Sequence, residues 1–138
     1  MKNILLVEDN FYVTQSIKKR FERIYNVDRI NKVIDAIDLF EKNQYDCIII
    51  DLVIDPLGLT DEQVNKYHPF FGWAWLKEYL LNDEEKAPDI KRKVIIFSEF
   101  VAELKEKWGA ELEGLNILQK SEDSSLEKLI NKIYSITK

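Results

Sequence analysis

Thiols are almost absent from this chain. Cys47 is the one cysteine in 138 residues, so disulfides and structural zinc, which need partner ligands, are excluded. Lying in the apolar run from Cys47 to Ile50, it reads as a buried core thiol. Histidine is as scarce, with His68 alone. Three prolines and four glycines leave few chain breakers, and their only concentration runs from Pro56 to Gly72, so no linker divides the chain. Basic charge is in deficit. Twenty Lys and Arg stand against 25 Asp and Glu, for a net charge of −5 and a pI near 5.0, and the basic residues are scattered, a balance that argues against nucleic acid as a partner. The amino terminus MKNILLVEDN has an apolar run of only four residues that ends in carboxylates, too short for a signal peptide or a membrane span. A cytoplasmic protein with no membrane partner is expected. The remainder is the composition of a folded domain, 46% hydrophobic and 33% charged, unlike disordered or fibrous chains. The length fits one domain over residues 1–138, on a scale of roughly 100 to 200 residues per domain.

Short apolar runs alternate with helical patterns, which predicts an α/β layering with a mainly parallel sheet. The runs are Ile4 to Val7, Val27 to Ile30, Cys47 to Ile50, Val94 to Phe97 and Leu115 to Leu118. The first, third and fourth are uninterrupted and rich in Ile and Val, as strands covered on both faces should be. The second carries Asp28 and Arg29, and the fifth carries Asn116 and is followed by Gln119, so these two belong at the edges. Between the runs, single helical faces are formed by Val13, Ile17, Phe21 and Ile24, by Val33, Ile37 and Phe40, by Val101, Leu104 and Trp108, and by Leu126, Leu129, Ile133 and Ile136. A middle helix is predicted from Phe71 to Leu81. Five strands and five helices in strict alternation follow, and right-handed crossovers allow the strand order 2-1-3-4-5.

In such a sheet ligands bind beyond the carboxyl ends of the strands, at the switch point between strands one and three. The residues at those ends are Glu8 and Asp9, Asp51, Ser98 and Lys120. Three converging carboxylates would repel one another, by up to about 4 kcal/mol per pair near 4 Å at an effective dielectric of 20. Lys120 supplies one compensating charge, and a hard divalent cation with oxygen ligands can supply the rest. Magnesium fits best, because it retains waters and leaves positions open for a phosphoryl oxygen. Asp51 would then be a carboxylate nucleophile toward phosphorus, with Lys120 neutralising charge on the transferred group and the Ser98 hydroxyl bonding to it.

The segments ILLVEDN, CIIIDLV, VIIFS and ILQK, in this order, resemble the four signatures of response-regulator receiver domains, with 22 residues from Ser98 to Lys120. The resemblance covers nearly the whole chain. It implies the five-stranded CheY-like (flavodoxin-like) fold and a stand-alone receiver in two-component phosphorelay signalling. By position, Glu8 and Asp9 would be the acidic pair that holds Mg2+, Asp51 the phospho-acceptor, Ser98 the switch hydroxyl and Lys120 the site lysine. The main-chain carbonyl of Val53 would be a further metal ligand. The implied partners are a histidine kinase or phosphotransfer protein as donor and a downstream protein target. The implied chemistry is at most self-catalysed phosphoryl transfer and autodephosphorylation.

The chain also departs from the family pattern. Glu99 is large and negative where the family has a small residue that keeps the pocket open. Ile117 replaces a frequent aromatic, and Ser121 a customary proline. Roughly 17 residues beyond the usual spacing of this switch-point fold fall between Asp51 and Ser98, as an insertion over about 54–72 and an extended segment over about 82–92. The first borders the site, in position to cover it, and leads into the aromatic group Phe70, Phe71, Trp73 and Trp75, read as core packing. His68 with Asp55 and Asp61 reads as a solvated loop rather than a metal site.

Two other functions stay open on the sequence. A pseudo-receiver would act as a constitutive interaction module through the insertion and its aromatic helix. An aspartate-nucleophile phosphatase would need a second Asp two positions after the first, where this chain has Val53.

Overall fold

The computed structural model describes residues 1–121 and 123–138. Its elements run β1 (Lys2–Val7), α1 (Phe11–Phe21), β2 (Tyr25–Ile30), α2 (Val33–Lys42), β3 (Cys47–Ile50), α3 (Asp61–Tyr67), α4 (Phe71–Trp75) continued by a π-helical turn (Leu76–Leu80), α5 (Ala87–Lys93), β4 (Val94–Ser98), α6 (Val101–Trp108), a 3-10 turn (Gly109–Leu112), β5 (Asn116–Gln119) and α7 (Ser125–Thr137). The five strands form one sheet in the order β2-β1-β3-β4-β5, and every pairing is parallel. This is the predicted α/β sheet, with β2 and β5 at the edges. No helix of the described residues is long and apolar enough to cross a membrane.

Successive side chains of a strand point to opposite faces, and the three central strands fill both. Leu5, Val7, Ile48, Ile50 and Ile96 face a core closed by α2, α4 and α6, whereas Ile4, Leu6, Cys47, Ile49, Ile95 and Phe97 face one closed by α1 and α7. The first core is the larger and holds Tyr67, Trp73 and Trp75, all essentially inaccessible to solvent. The aromatic group Phe70, Phe71, Trp73 and Trp75 is thus core.

The expectation of five helices is corrected by α3 and α5. Helix α3 begins at a reciprocal capping box: the Gln63 N–H donates to Thr60 Oγ1 at 3.1 Å and the Thr60 N–H to Gln63 Oε1 at 3.0 Å. The Thr-x-x-Gln signature is legible in the sequence. Helix α5 carries Pro88 in its first turn, where proline's fixed φ and missing N–H are tolerated. Two helical-face assignments are corrected as well. Helix α1 ends at Phe21, leaving Ile24 in an exposed connection, and Leu126 is exposed in the first turn of α7.

Residues 54–72 do not line the cavity beside Asp51; Asp55 and Leu57 instead cap a neighbouring helix. Lys32, at the start of α2, makes no side-chain cap. Instead, the Val33 and Ile34 N–H groups donate to the carbonyls of Asp55 and Leu57, at 3.1 and 2.7 Å, satisfying donors that a helix start leaves open. Gly58 makes this approach possible. Its φ is +110°, and a Cβ there would stand 2.8 Å from the Ile34 nitrogen, so only glycine fits.

Candidate functional site

The carboxyl ends of β1, β3 and β5 bring four charged residues together. Ligand atoms of Glu8, Asp9 and Asp51 lie within 4.8 Å of one another. Lys120 Nζ donates to Glu8 Oε1 at 2.6 Å and to Asp51 Oδ2 at 3.2 Å. Glu8, Asp51 and the Lys120 side chain are almost withdrawn from water, whereas Asp9 is exposed. The ammonium also stands 5.7 Å from the centroid of the Phe97 ring.

The backbone holds these groups from several sides. Asn10 caps α1, its Oδ1 accepting from the N–H groups of Tyr12 and Val13, which fixes the turn that carries Glu8 and Asp9. Arg29, near the end of β2, donates from Nε to the Glu8 carbonyl at 3.0 Å and from a terminal nitrogen to the Asp9 carbonyl at 3.4 Å. The sequence pattern does not single out this residue, although strand pairing sets it opposite Leu6. Asp51 is fixed by its N–H bond to the Val7 carbonyl, and Gly72 packs against the Asp51 carbonyl oxygen. On the far side, the Lys120 N–H donates to the Ser98 carbonyl at 2.9 Å, and Gln119 Nε2 to the Glu99 carbonyl at 2.8 Å.

Burial of Glu8, with the nearby charge of Asp51, pushes its carboxyl up to about 7, against the pull of Lys120 and the Asn10 N–H. Burial lowers Lys120, but the hydrogen bond and charge of Glu8 and the charge of Asp51 outweigh it and hold the ammonium above the ordinary lysine range. The Lys120 shift thus comes from its two carboxylate partners, whereas that of Glu8 comes first from burial and then from the charge of Asp51.

A cavity of about 200 Å³ opens among these groups, lined by Asp9, Asn10, Asp51, Val53, Glu99, Phe100 and Lys120. Ser98 is fully buried at the end of β4, outside that lining, and its Oγ accepts the Phe100 N–H at 3.2 Å. Nothing in the sequence pattern marks Phe100 as part of the site. The donor set fits a hard cation. Glu8 Oε1 is occupied by Lys120 and by the Asn10 N–H, but Glu8 Oε2 is buried without a hydrogen-bond partner. An orphaned buried carboxylate oxygen beside two further carboxylates is what an oxygen-coordinated divalent ion would satisfy. Among the described residues this is the one group of three such ligands that converges. His68, Asp55 and Asp61 form no such group; Asp55 Oδ1 accepts the Leu57 N–H instead.

No family model and no curated protein matches the chain. Solved structures do. The receiver domain of a Francisella response regulator superposes with a TM-score of 0.66 at 22% identity, over 99% of this chain and 97% of that one. The Vibrio cholerae chemotaxis protein CheY4 gives 0.68 at 16%, over 99% and 98%. The receiver domain of a Pseudomonas aeruginosa sensor histidine kinase, with a magnesium ion coordinated in its active site cleft, gives 0.63 at 17%, over 99% and 97%. At these identities the likeness is one of fold, and the fold is CheY-like.

Proposed function

We propose that this chain is a receiver in two-component signalling, taking a phosphoryl group onto Asp51 from a phosphohistidine of a histidine kinase or phosphotransfer protein and signalling through contact with a downstream protein. The observation that carries the reading is the convergence of Glu8, Asp9 and Asp51 within 4.8 Å at the switch point of the sheet, with Lys120 bonded to two of them. The CheY-like fold supports it, as does the magnesium ion coordinated in the Pseudomonas receiver's cleft.

In this reading Glu8, Asp9, Asp51 and the main-chain carbonyl of Val53 would hold Mg2+. When bound, the ion neutralises charge that builds on the transferred group. A carboxylate oxygen of Asp51 attacks phosphorus in line. The P–N bond to the donor imidazole breaks, its electron pair returns to nitrogen, and an acyl phosphate is left on Asp51. Lys120, already within bonding distance of Asp51, can follow the charge onto the phosphoryl oxygens. Ser98 can offer its hydroxyl hydrogen to the same group while its oxygen keeps the Phe100 N–H.

Replacing Asp51 by Asn should abolish labelling by a histidine kinase or a small phosphodonor while the fold is retained. Label that persists in this variant would sink the assignment. A second reading is favoured by Glu99 and Phe100, which line the cavity: a pseudo-receiver acting as a constitutive interaction module. That protein would show no change in chemical shifts or Trp fluorescence with magnesium and beryllofluoride, whereas the receiver would.

A further inference from the structure

A groove of about 700 Å³ lies at the opposite end of the sheet from Asp51. Asp46, Lys93 and Asn116, which line it, stand at the amino ends of β3, β4 and β5. At about 3.3 Å per residue, strands of this length put it roughly 13 to 17 Å from the carboxylate cluster. One wall is the last turn of α5, with Lys91, Arg92 and Lys93; the other is α7, with Lys132.

The local charge is opposite to that of the molecule. Four cations line the groove against Asp46 and Asp89, on a chain of net charge −5. Both carboxylates are engaged. Asp89 pairs with Arg92 and Lys93, and Asp46 Oδ2 accepts the Asn3 N–H at 2.8 Å. Among the described residues, Lys91 Nζ meets only the Glu113 carbonyl, at 3.1 Å, and Lys132 has no ion-pair partner. The carbonyls at the end of α5, which would repel an anion, are covered as well: Asn116 Nδ2 donates to the Val94 carbonyl at 3.0 Å and lies within 3.5 Å of those of Arg92 and Lys91.

We propose that this groove is a docking site for an acidic, extended segment of a partner protein. The cations stand on two separate helices rather than converging on one point, which matches carboxylates spaced along a chain better than a single compact anion. Pro88 and Ile136 give the groove apolar surface for the stems of such side chains. The acidic remainder of the molecule repels the same segment elsewhere and steers it here.

The test uses a fluorescein-labelled hexaglutamate peptide and fluorescence anisotropy on the full chain. Saturable binding is expected at low ionic strength, weakening at about 0.5 M salt. The pair Arg92→Glu and Lys132→Glu should lower affinity by at least about tenfold. The pair Lys19→Glu and Arg20→Glu, equal in charge change and exposed on α1, should lower it less than about threefold. Circular dichroism checks folding, and Arg92→Gln with Lys132→Gln replaces the reversal if that unfolds. No saturation up to about 1 mM peptide, or an equal loss in the α1 pair, overturns the proposal. So does tripolyphosphate that binds at one site and displaces the peptide at lower concentration, since the groove would then serve a compact anion. Self-association of the wild type that the groove pair abolishes would make the occupant a second copy, and overturn it too.

Discussion

The ring of Tyr67 lies 5.1 Å from that of Trp108 and 16° from parallel. The stack ties α3, in the segment after Asp51, to the carboxyl end of α6, and Lys77 Nζ stands 4.9 Å from the Trp108 ring centroid. Tyr67 is fully buried, and its hydroxyl donates to Glu78 at 2.5 Å. Tyr67→Ala should therefore cost about 3 to 5 kcal/mol, as losses of large buried aromatics do. Tyr67→Phe keeps the stack and loses one hydrogen bond to a carboxylate, for about 1.5 to 3 kcal/mol. Urea unfolding followed by Trp emission separates the two. Equal losses would mean that the hydroxyl, not the ring, secures the contact.

Lys120 is the counter-charge to two buried carboxylates, Glu8 and Asp51. Removing one partner of a buried ionic group leaves the others uncompensated, so Lys120→Met should destabilise by about 3 to 5 kcal/mol in the presence of a chelator. Glu8→Gln in that background removes part of the repulsion and should restore stability. The double-mutant cycle is expected to give a coupling above about 1 kcal/mol. A cycle that closes near zero would show the two groups to be independent.

The sheet was legible because its signal is strong: three apolar runs, each closing on a polar residue, leave little choice of strand or order. The carboxylate cluster followed, since the switch point of that order singles out the residues after β1 and β3. What escaped were features set by tertiary contact. Thr60 and Gln63 spell a capping box, but the surrounding Pro, Gly and acidic residues read more strongly as loop. Arg29 reads as an edge-strand solubiliser until pairing of β2 with β1 sets its guanidinium against the Glu8 and Asp9 carbonyls. That Asp55 and Leu57 cap α2 was hidden too, because they give their carbonyls and no side-chain pattern records that.

Gly72 is where the first turn of α4 passes the carboxyl end of β3. A Cβ there would stand 2.0 Å from the Asp51 carbonyl oxygen, closer than any relaxation of a side chain can relieve. Gly72→Ala should shift Asp51 and destabilise by at least about 1 to 3 kcal/mol, the range for overpacking. Gly109 is the matched control, with a helical backbone and nothing within 4 Å of where an added methyl would stand. Gly109→Ala should be stabilising, by about 0.4 to 1 kcal/mol, through the unfolded chain. Thermal unfolding of the two variants checks both signs.

Cys47 begins β3 with no exposed surface. Burial, helped by the charge of Asp46, pushes its thiol up to about 12. The thiolate is the reactive form, so a thiol-specific dye at neutral pH should leave the native protein unlabelled and react quickly once urea opens it. The same shift fixes a pH dependence. An unfolded thiol ionises near 8.5, while the folded one stays protonated up to about 12. Between these values the unfolded state binds fewer protons, so stability falls as pH rises, by about 1.4 kcal/mol per unit from this group. Cys47→Ala should lack that contribution, and the difference in unfolding free energy between wild type and variant should narrow steadily from about pH 8.5 to about 10.5. A difference that stays constant over this range would show that Cys47 titrates alike in both states.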